Sequence, residues 1–241
     1  KTNGITAPSA DAQLALQRRV HAKAKVTPDD IAYIETHGAG TQLGDPIEVK
    51  ALVGLMQGRS KLLPPCGIGS IKSNIGHTTL ASGIAGLLKV VLGLKHGEVA
   101  PSLHFQSMNP NIDLAATSLE VVTTRRPWRA GPSGRRMGAV NSFGVSGTNA
   151  HAVLAEAPAP KLFDTGSADE AYLLPVSAKT PGALRALLEG LRADLHDGIA
   201  IADAAFTRSV GRAMFRRRFA LVAKDAGEAI ALGVAARRVV H

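Results

Sequence analysis

Residues Tyr33 to Glu48 read YIETHGAGTQLGDPIE, and the order of features in this stretch decides the fold class. Ile31 to Ile34 is an apolar, strand-like run. A glycine turn displaying His37 follows, and Asp45 and Pro46 then supply N-cap and first-position residues for a helix through about Met56, ending at Gly58. Strand, polar turn and helix in succession form the unit of layered α/β domains.

Working outward, Pro8 to Lys25 carries helix formers around Leu14, Leu16 and Val20, and VTPDD breaks that helix before the strand. Downstream, PPCGIGSI reads as a short buried strand. NIGHTTLASGIAGLLKVVLGLKHG predicts a long helix starting near Gly76, apolar on most faces and therefore buried. Strand signals recur at Leu119 to Val122, Gly138 to Asn141 and Ala150 to Leu154, with the turn-rich RPWRAGPSGRR before the last two.

Pro, Gly, Ser and Asp between Glu156 and Glu170 mark a boundary, which divides the chain into domains 1–157 and 158–241. The second is expected to be a small α/β module. It holds the strand YLLPVSA, a helix with Leu184, Leu187, Leu188, Leu191 and Leu195 on one stripe, a helix near Asp203 to Met214, the strand RFALVAK and a last helix.

The chain has 241 residues, 45% of them apolar but only 4% aromatic, so small residues must supply much of the packing density. One cysteine, Cys66, excludes an intrachain disulfide framework and fits a reducing, cytoplasmic setting. The most apolar stretch, Leu80 to Leu94, is short for a membrane span and contains Lys89, and no leader opens the chain; a soluble protein is expected. The net charge is +9, and eight Arg or Lys stand against Asp225 and Glu228 beyond Ala205, so an acidic partner fits, nucleic acid being one candidate.

Three stretches run from a strand into a polar glycine turn: ETHGAGT, SIKSNIGHT and NSFGVSGTNAH. Strand ends of this kind are where layered α/β folds assemble their sites. His37 stands on one such turn. His77 is placed at a helix N-terminus, whose positive dipole end disfavours imidazolium. Two neutral imidazoles beside the cation Lys72 make a poor metal site but a credible donor pair for an enolate or thioester oxygen. Lys72 could also tune and orient His77.

Other readings carry less. The turn lacks GxxxxGK[ST] and does not match GxGxxG, so a phosphate cradle is disfavoured. Cys66 sits in a strand with nothing nearby to lower its pKa and reads as a small buried hydrophobe. Gly144 and Gly147 permit unusual dihedrals in SFGVSGTNAH, which could supply half of an oxyanion hole or simply a tight turn.

TAPSADAQ, YIETHGAGTQLGDPIEV, GSIKSNIGHTTLASGIAGLLKVVL, PSLHF, NPNIDL, RRPW and MGAVNSFGVSGTNAHAVLAEAP, in this order and spacing, resemble the ketosynthase domain of modular type I polyketide synthases. The resemblance covers roughly residues 1–157 and the C-terminal part of such a domain. Residues from about Tyr172 are similar to the linker module that flanks ketosynthases.

The resemblance implies a thiolase-like layered fold and a decarboxylative Claisen condensation between an acyl chain on a cysteine and a malonyl-type extender on acyl carrier protein. It makes His37 and His77 the catalytic histidines, Lys72 their supporting lysine, and Phe143, Gly144 and Val145 the gating turn, with the Val145 N–H a second oxyanion donor. It implies no cofactor or metal in this segment, since substrates arrive on the carrier's phosphopantetheine arm. Implied partners are acyl carrier protein, an upstream segment bearing the nucleophilic cysteine, a second copy in a homodimer, and acyltransferase or other synthase domains. Neither nucleic acid nor a membrane is implied, because an acidic carrier accounts for a basic surface. Two positions depart from the pattern: Ala39 replaces a threonine of the glycine turn, and Thr79 replaces a glutamate that could pair with Lys72. The alternative within the family is a non-elongating or scaffolding ketosynthase, although forms known for it have lost the histidine retained here as His37.

Overall fold

A computed structural model of the chain describes residues 8–144, 147–158 and 171–236, and divides it into two compact units, Lys1–Ala159 and Pro160–His241. The first unit is built on a five-stranded sheet of β1 (Ile31–Glu35), β2 (Cys66–Gly69), β4 (Leu119–Val121), β6 (Met137–Phe143) and β7 (Asn149–Ala155), in the order β4-β2-β1-β6-β7. β4, β2, β1 and β6 run parallel, and only β7 is antiparallel, paired with β6. Strands β3 (Glu98–Val99) and β5 (Arg126–Pro127) form a separate two-stranded ladder that the sequence pattern did not announce.

Helices cover the sheet. On one face, α1 (Ala10–Ala24) packs against α2 (Gly44–Leu55) and β7, and Leu52, Leu55 and Met56 meet Ile34, Cys66, Ile68 and Ala139. On the other, Val90 and Leu94 of α4 (Ser82–His96) meet Tyr33, Val140 and Trp128. Small residues let these layers close: a Cβ on Gly138 would stand 2.6 Å from the Trp128 ring, and one on Gly93 would stand 2.8 Å from it.

Two helix expectations are corrected. Asp45 does not cap α2: the helix begins at Gly44, Leu43 holds the cap position, and the Asp45 carboxylate instead accepts the Gly40 N–H at 3.1 Å. The long helix expected from Gly76 is broken. One turn, α3 (Lys72–Ile75), stops at Gly76, whose φ of +73° no helix continues through, and a 3-10 turn at Thr79–Ala81 then leads into α4 at Ser82.

Nor is that helix buried all round. Ser82, Gly86, Val90 and Leu94 face the sheet, while Ile84, Leu88, Val91 and Leu92 are 41 to 60% exposed. Thr79–His96 reaches 18 residues with a mean hydropathy of 1.2, long and apolar enough to cross a membrane by length and composition alone. Its inner face is committed otherwise: Lys89 is buried and ion-paired with the fully buried Glu35 at 2.9 Å.

In the second unit β8 (Tyr172–Ala178) and β9 (Arg217–Ala223) pair antiparallel, with α5 (Pro181–His196), α6 (Ile201–Val210) and α7 (Ala226–Ala236) completing it. Thr180 caps α5 by accepting the Ala183 N–H at 3.2 Å, and Pro181 opens it. Leu184, Leu188, Leu191 and Leu195 enter the core with Leu174, Val176 and Leu221. At about 1.5–3 kcal/mol per buried leucine, this stripe is the main apolar contribution of α5. Leu187, expected on the stripe, is instead 43% exposed.

Candidate active site

Parallel pairing brings the C-terminal ends of β1, β2 and β6 to one edge of the sheet. His37 follows β1 by two residues, Lys72 and His77 follow β2, and Phe143 ends β6. The edge therefore gathers three segments far apart in sequence, as open parallel sheets do at their sites.

His37 and His77 meet with ring centroids 5.8 Å apart and planes at 81°. Each ring is held by a backbone donor: Phe143 N–H reaches Nδ1 of His37 at 3.3 Å, and Thr79 N–H reaches Nδ1 of His77 at 3.0 Å. An Nδ1 that accepts a hydrogen bond carries no hydrogen itself, so the ring's hydrogen sits on Nε2. Burial, then the Lys72 cation, then His77 push the pKa of His37 down to about 4, which keeps it neutral. For His77, placed ahead of the 3-10 turn rather than on a helix N-terminus, the Thr79 N–H replaces the expected dipole as the orienting group.

Lys72 lies nearer the His37 turn than expected. Its Nζ donates to the carbonyl oxygen of His37, so it braces that turn rather than the His77 ring. Burial lowers its pKa, opposed by Glu35, Glu48 and Asp45. Three carboxylates thus compensate its charge, without the glutamate that Thr79 replaces.

The turn itself is clamped by a residue that sequence reasoning passed over. Glu48, fully buried on α2, accepts the N–H of His37 at 2.8 Å and of Gly38 at 2.9 Å, and the Asn141 side-chain amide at 2.9 Å. The signal was present: Glu48 shares the inward face of α2 with Ala51, Leu52 and Leu55, and a carboxylate on an apolar face needs partners. Gly38 and Gly40 take positive φ, +46° and +71°, which lets the turn present its N–H groups inward.

Phe143 packs beside His37, ring centroids 5.7 Å apart. Gly144 donates to the Thr148 carbonyl at 2.7 Å; Gly147 has a φ of +86°, but Gly144 keeps an ordinary one. Val145 lies outside the described residues. Cys66 is fully buried in β2, away from this edge, and burial pushes its thiol up to about 12. Among the described residues no cluster of His, Cys, Asp or Glu could hold a metal.

A cleft of about 1010 Å³ opens between the glycine turn and the loop 102–112, lined by Ala39, Thr41, Lys72, His77, His104 and Asn109 among others, so that it reaches the site on the Lys72 and His77 side. His104 holds a φ of +61°, unusual for a non-glycine residue.

Residues 1–106 match the beta-ketoacyl synthase C-terminal domain, and residues 109–221 match the ketoacyl-synthetase C-terminal extension, which runs across both compact units. The chain belongs to the β-ketoacyl synthase family, as the C-terminal region of a ketosynthase of modular polyketide synthases, with a thiolase-like fold. Members of this family are enzymes.

Its relatives include a phenolphthiocerol/phthiocerol polyketide synthase of Mycobacterium tuberculosis, 42% identical over 238 residues, 96% of this chain and 13% of the relative. Erythronolide synthase EryA3 of Saccharopolyspora erythraea is 42% identical over 250 residues, 99% of this chain and 8% of the relative. The ketosynthase from module 6 of the bacillaene synthase of Bacillus subtilis superposes with a TM-score of 0.71 at 36% identity, covering 100% of this chain and 41% of that one. The chain thus spans a small part of the curated relatives and about two fifths of the solved ketosynthase.

Proposed function

We propose that the chain supplies the donor half of a condensing ketosynthase, whose nucleophilic cysteine comes from an upstream segment. The observation that carries this reading is the shared state of the two histidines: a backbone N–H on each Nδ1 leaves each Nε2 as a hydrogen-bond donor. Loss of carbon dioxide from a malonyl-type thioester breaks the bond between carboxylate and α-carbon and leaves the electron pair as an enolate on the thioester oxygen. Two fixed N–H groups stabilise that charge more than they stabilise the neutral carbonyl, which is what accelerates the step.

The enolate carbon then attacks the acyl thioester on the upstream cysteine. A carbon–carbon bond forms, the cysteine leaves as thiolate, and the elongated β-ketoacyl chain remains on the carrier. The Val145 N–H, with the cysteine's own N–H, is assigned to the oxyanion of that second step, and Phe143 and Gly144 to the gating turn. No cofactor is required of this segment.

In this reading residues 1–157 are the ketosynthase portion and 158–241 the flanking linker subdomain. The apolar outer face of α4 supports an upstream ketosynthase segment as a partner, and the net charge of +9 supports an acidic acyl carrier protein. A homodimer, neighbouring acyltransferase or other synthase domains, and a cytoplasmic setting follow the family.

The test uses the chain combined with its upstream segment. His37→Ala and His77→Ala are each expected to lower condensation on the order of 10²- to 10³-fold while the upstream cysteine still takes up its acyl group, read by intact-protein mass. Equal loss of acyl loading in both variants would make the histidines structural and overturn the reading.

A further inference from the structure

Behind Glu48 lies a polar network that the proposed chemistry does not use. Asn141 of β6 donates through Nδ2 to Glu48 at 2.9 Å. Its Oδ1 meets Nδ1 of His151 on β7 at 2.6 Å and the side-chain amide of Gln17 on α1 at 3.3 Å. Asn141 and Gln17 are 3% and 0% exposed.

The carboxylate fixes every direction in this chain of hydrogen bonds. A carboxylate only accepts, so the group facing it must be the Asn141 NH2, and the Asn141 oxygen must face the other way. Facing an acceptor, Nδ1 of His151 carries the ring hydrogen and donates. Burial, then His21, push the pKa of His151 down to about 3, so the ring stays neutral. His151, Gln17 and Asn141 thus all donate toward Glu48, as His37 and Gly38 do from the other side.

β6 consequently holds His37 at two points. Phe143 pins its ring through the main chain, and Asn141, two residues earlier, pins its backbone through Glu48. His21 stands against His151 with ring centroids 5.3 Å apart, so α1 closes the network from behind. Without Asn141, Glu48 would be held only by the turn it clamps and would lose its tie to β6, in a site where burial already raises its pKa, so the His37 and Gly38 N–H groups would lose a fixed acceptor.

The geometry points to Asn141 as a positioning residue for His37, acting through Glu48, with His151 and Gln17 locking its amide. This inference rests on the donor role proposed for His37, and displacement of that donor by even about 1 Å is enough to cost on the order of 10²-fold in rate.

The experiment uses the chain combined with its upstream segment and compares wild type, Asn141→Ala and the milder His151→Phe. Hydrogen exchange of the Tyr33–Gly44 segment is read beside condensation kinetics. Asn141→Ala is expected to speed exchange at His37 and Gly38 by roughly tenfold or more. Its kcat should fall on the order of 10²-fold, with KM for the malonyl carrier protein and acyl loading within about twofold. His151→Phe should move both in the same direction and less. In a His37→Ala background the Asn141→Ala loss in kcat should vanish, since the two then share one lost interaction.

Unchanged exchange at His37 and Gly38 in both variants would overturn the inference, whatever the activity. An equal Asn141→Ala loss with and without His37 would overturn it too, by making the effect structural. Faster exchange with full condensation in Asn141→Ala would overturn the positioning role. Full condensation in His37→Ala alone would instead sink the donor reading, and with it any role for Asn141 in the rate, while exchange still decides whether Asn141 holds the turn.

Discussion

The backbone N–H of Phe143 points at Nδ1 of His37 across 3.3 Å, joining residues 106 positions apart. That contact selects the ring tautomer, and the parallel pairing of β1 with β6 is what makes it possible. The chemistry proposed for this edge depends on a proton location set by the sheet.

Lys72 adds an electrostatic hold on the same ring. Burial is the larger cause of the low His37 pKa and the Lys72 cation the next, so Lys72→Met should raise that pKa part of the way from about 4 toward 6.5. Activity requires the neutral ring, so the acid limb of the condensation pH profile should move to higher pH. Lys72→Arg should restore the wild-type limb; an unmoved limb in Lys72→Met would contradict the coupling.

Glu48→Gln keeps the side-chain shape but turns an NH2 toward one of three donors. Leaving a buried donor unpaired costs about 1–3 kcal/mol, so the denaturation midpoint should fall accordingly. Condensation should fall as well, because the His37 turn loses its clamp. A variant as stable as wild type would show that the carboxylate is not needed.

Much of this was legible in the sequence. The turn with His37 and the strands that bring His37, Lys72 and His77 to one edge fall where pattern and turn chemistry put them, because strand ends followed by glycine turns leave local marks; the helix N-terminus expected under His77 and the contact expected between Lys72 and His77 do not. Less legible was the course from Gly76 to Ser82, where a continuous apolar pattern conceals a break set by one positive φ. The outer face of α4 misled for a related reason: apolar composition does not say whether a partner is present. Glu48 and Asn141 were missed because their role is a meeting 93 residues apart in sequence, and periodicity does not report such meetings.

The low pKa of His151 makes the first unit acid-sensitive. In the unfolded chain this ring takes up a proton near 6.5, in the folded chain only near 3, so the unfolded state binds more protons between those values. Stability should be fully present above about pH 6.5 and fall as pH drops toward 3, by up to about 1.4 kcal/mol per pH unit from this group. His151→Phe should flatten that slope in acid-unfolding curves; an unchanged slope would place the sensitivity elsewhere.

Ile84 and Leu88 point outward from α4, 60% and 53% exposed. Ile84→Asp with Leu88→Asp should therefore change the stability of the isolated chain by only about 0.5 kcal/mol per site, while abolishing its association with the upstream segment. Sedimentation of the mixed segments reads this directly, and undiminished association would remove the face from the interface.

The most direct measurement is carbon dioxide release from a malonyl carrier protein by the chain combined with its upstream segment. Release by wild type, reduced on the order of 10²- to 10³-fold by His37→Ala and by His77→Ala separately, is the predicted result. No release by wild type, or wild-type release by either variant, would contradict the two-donor site.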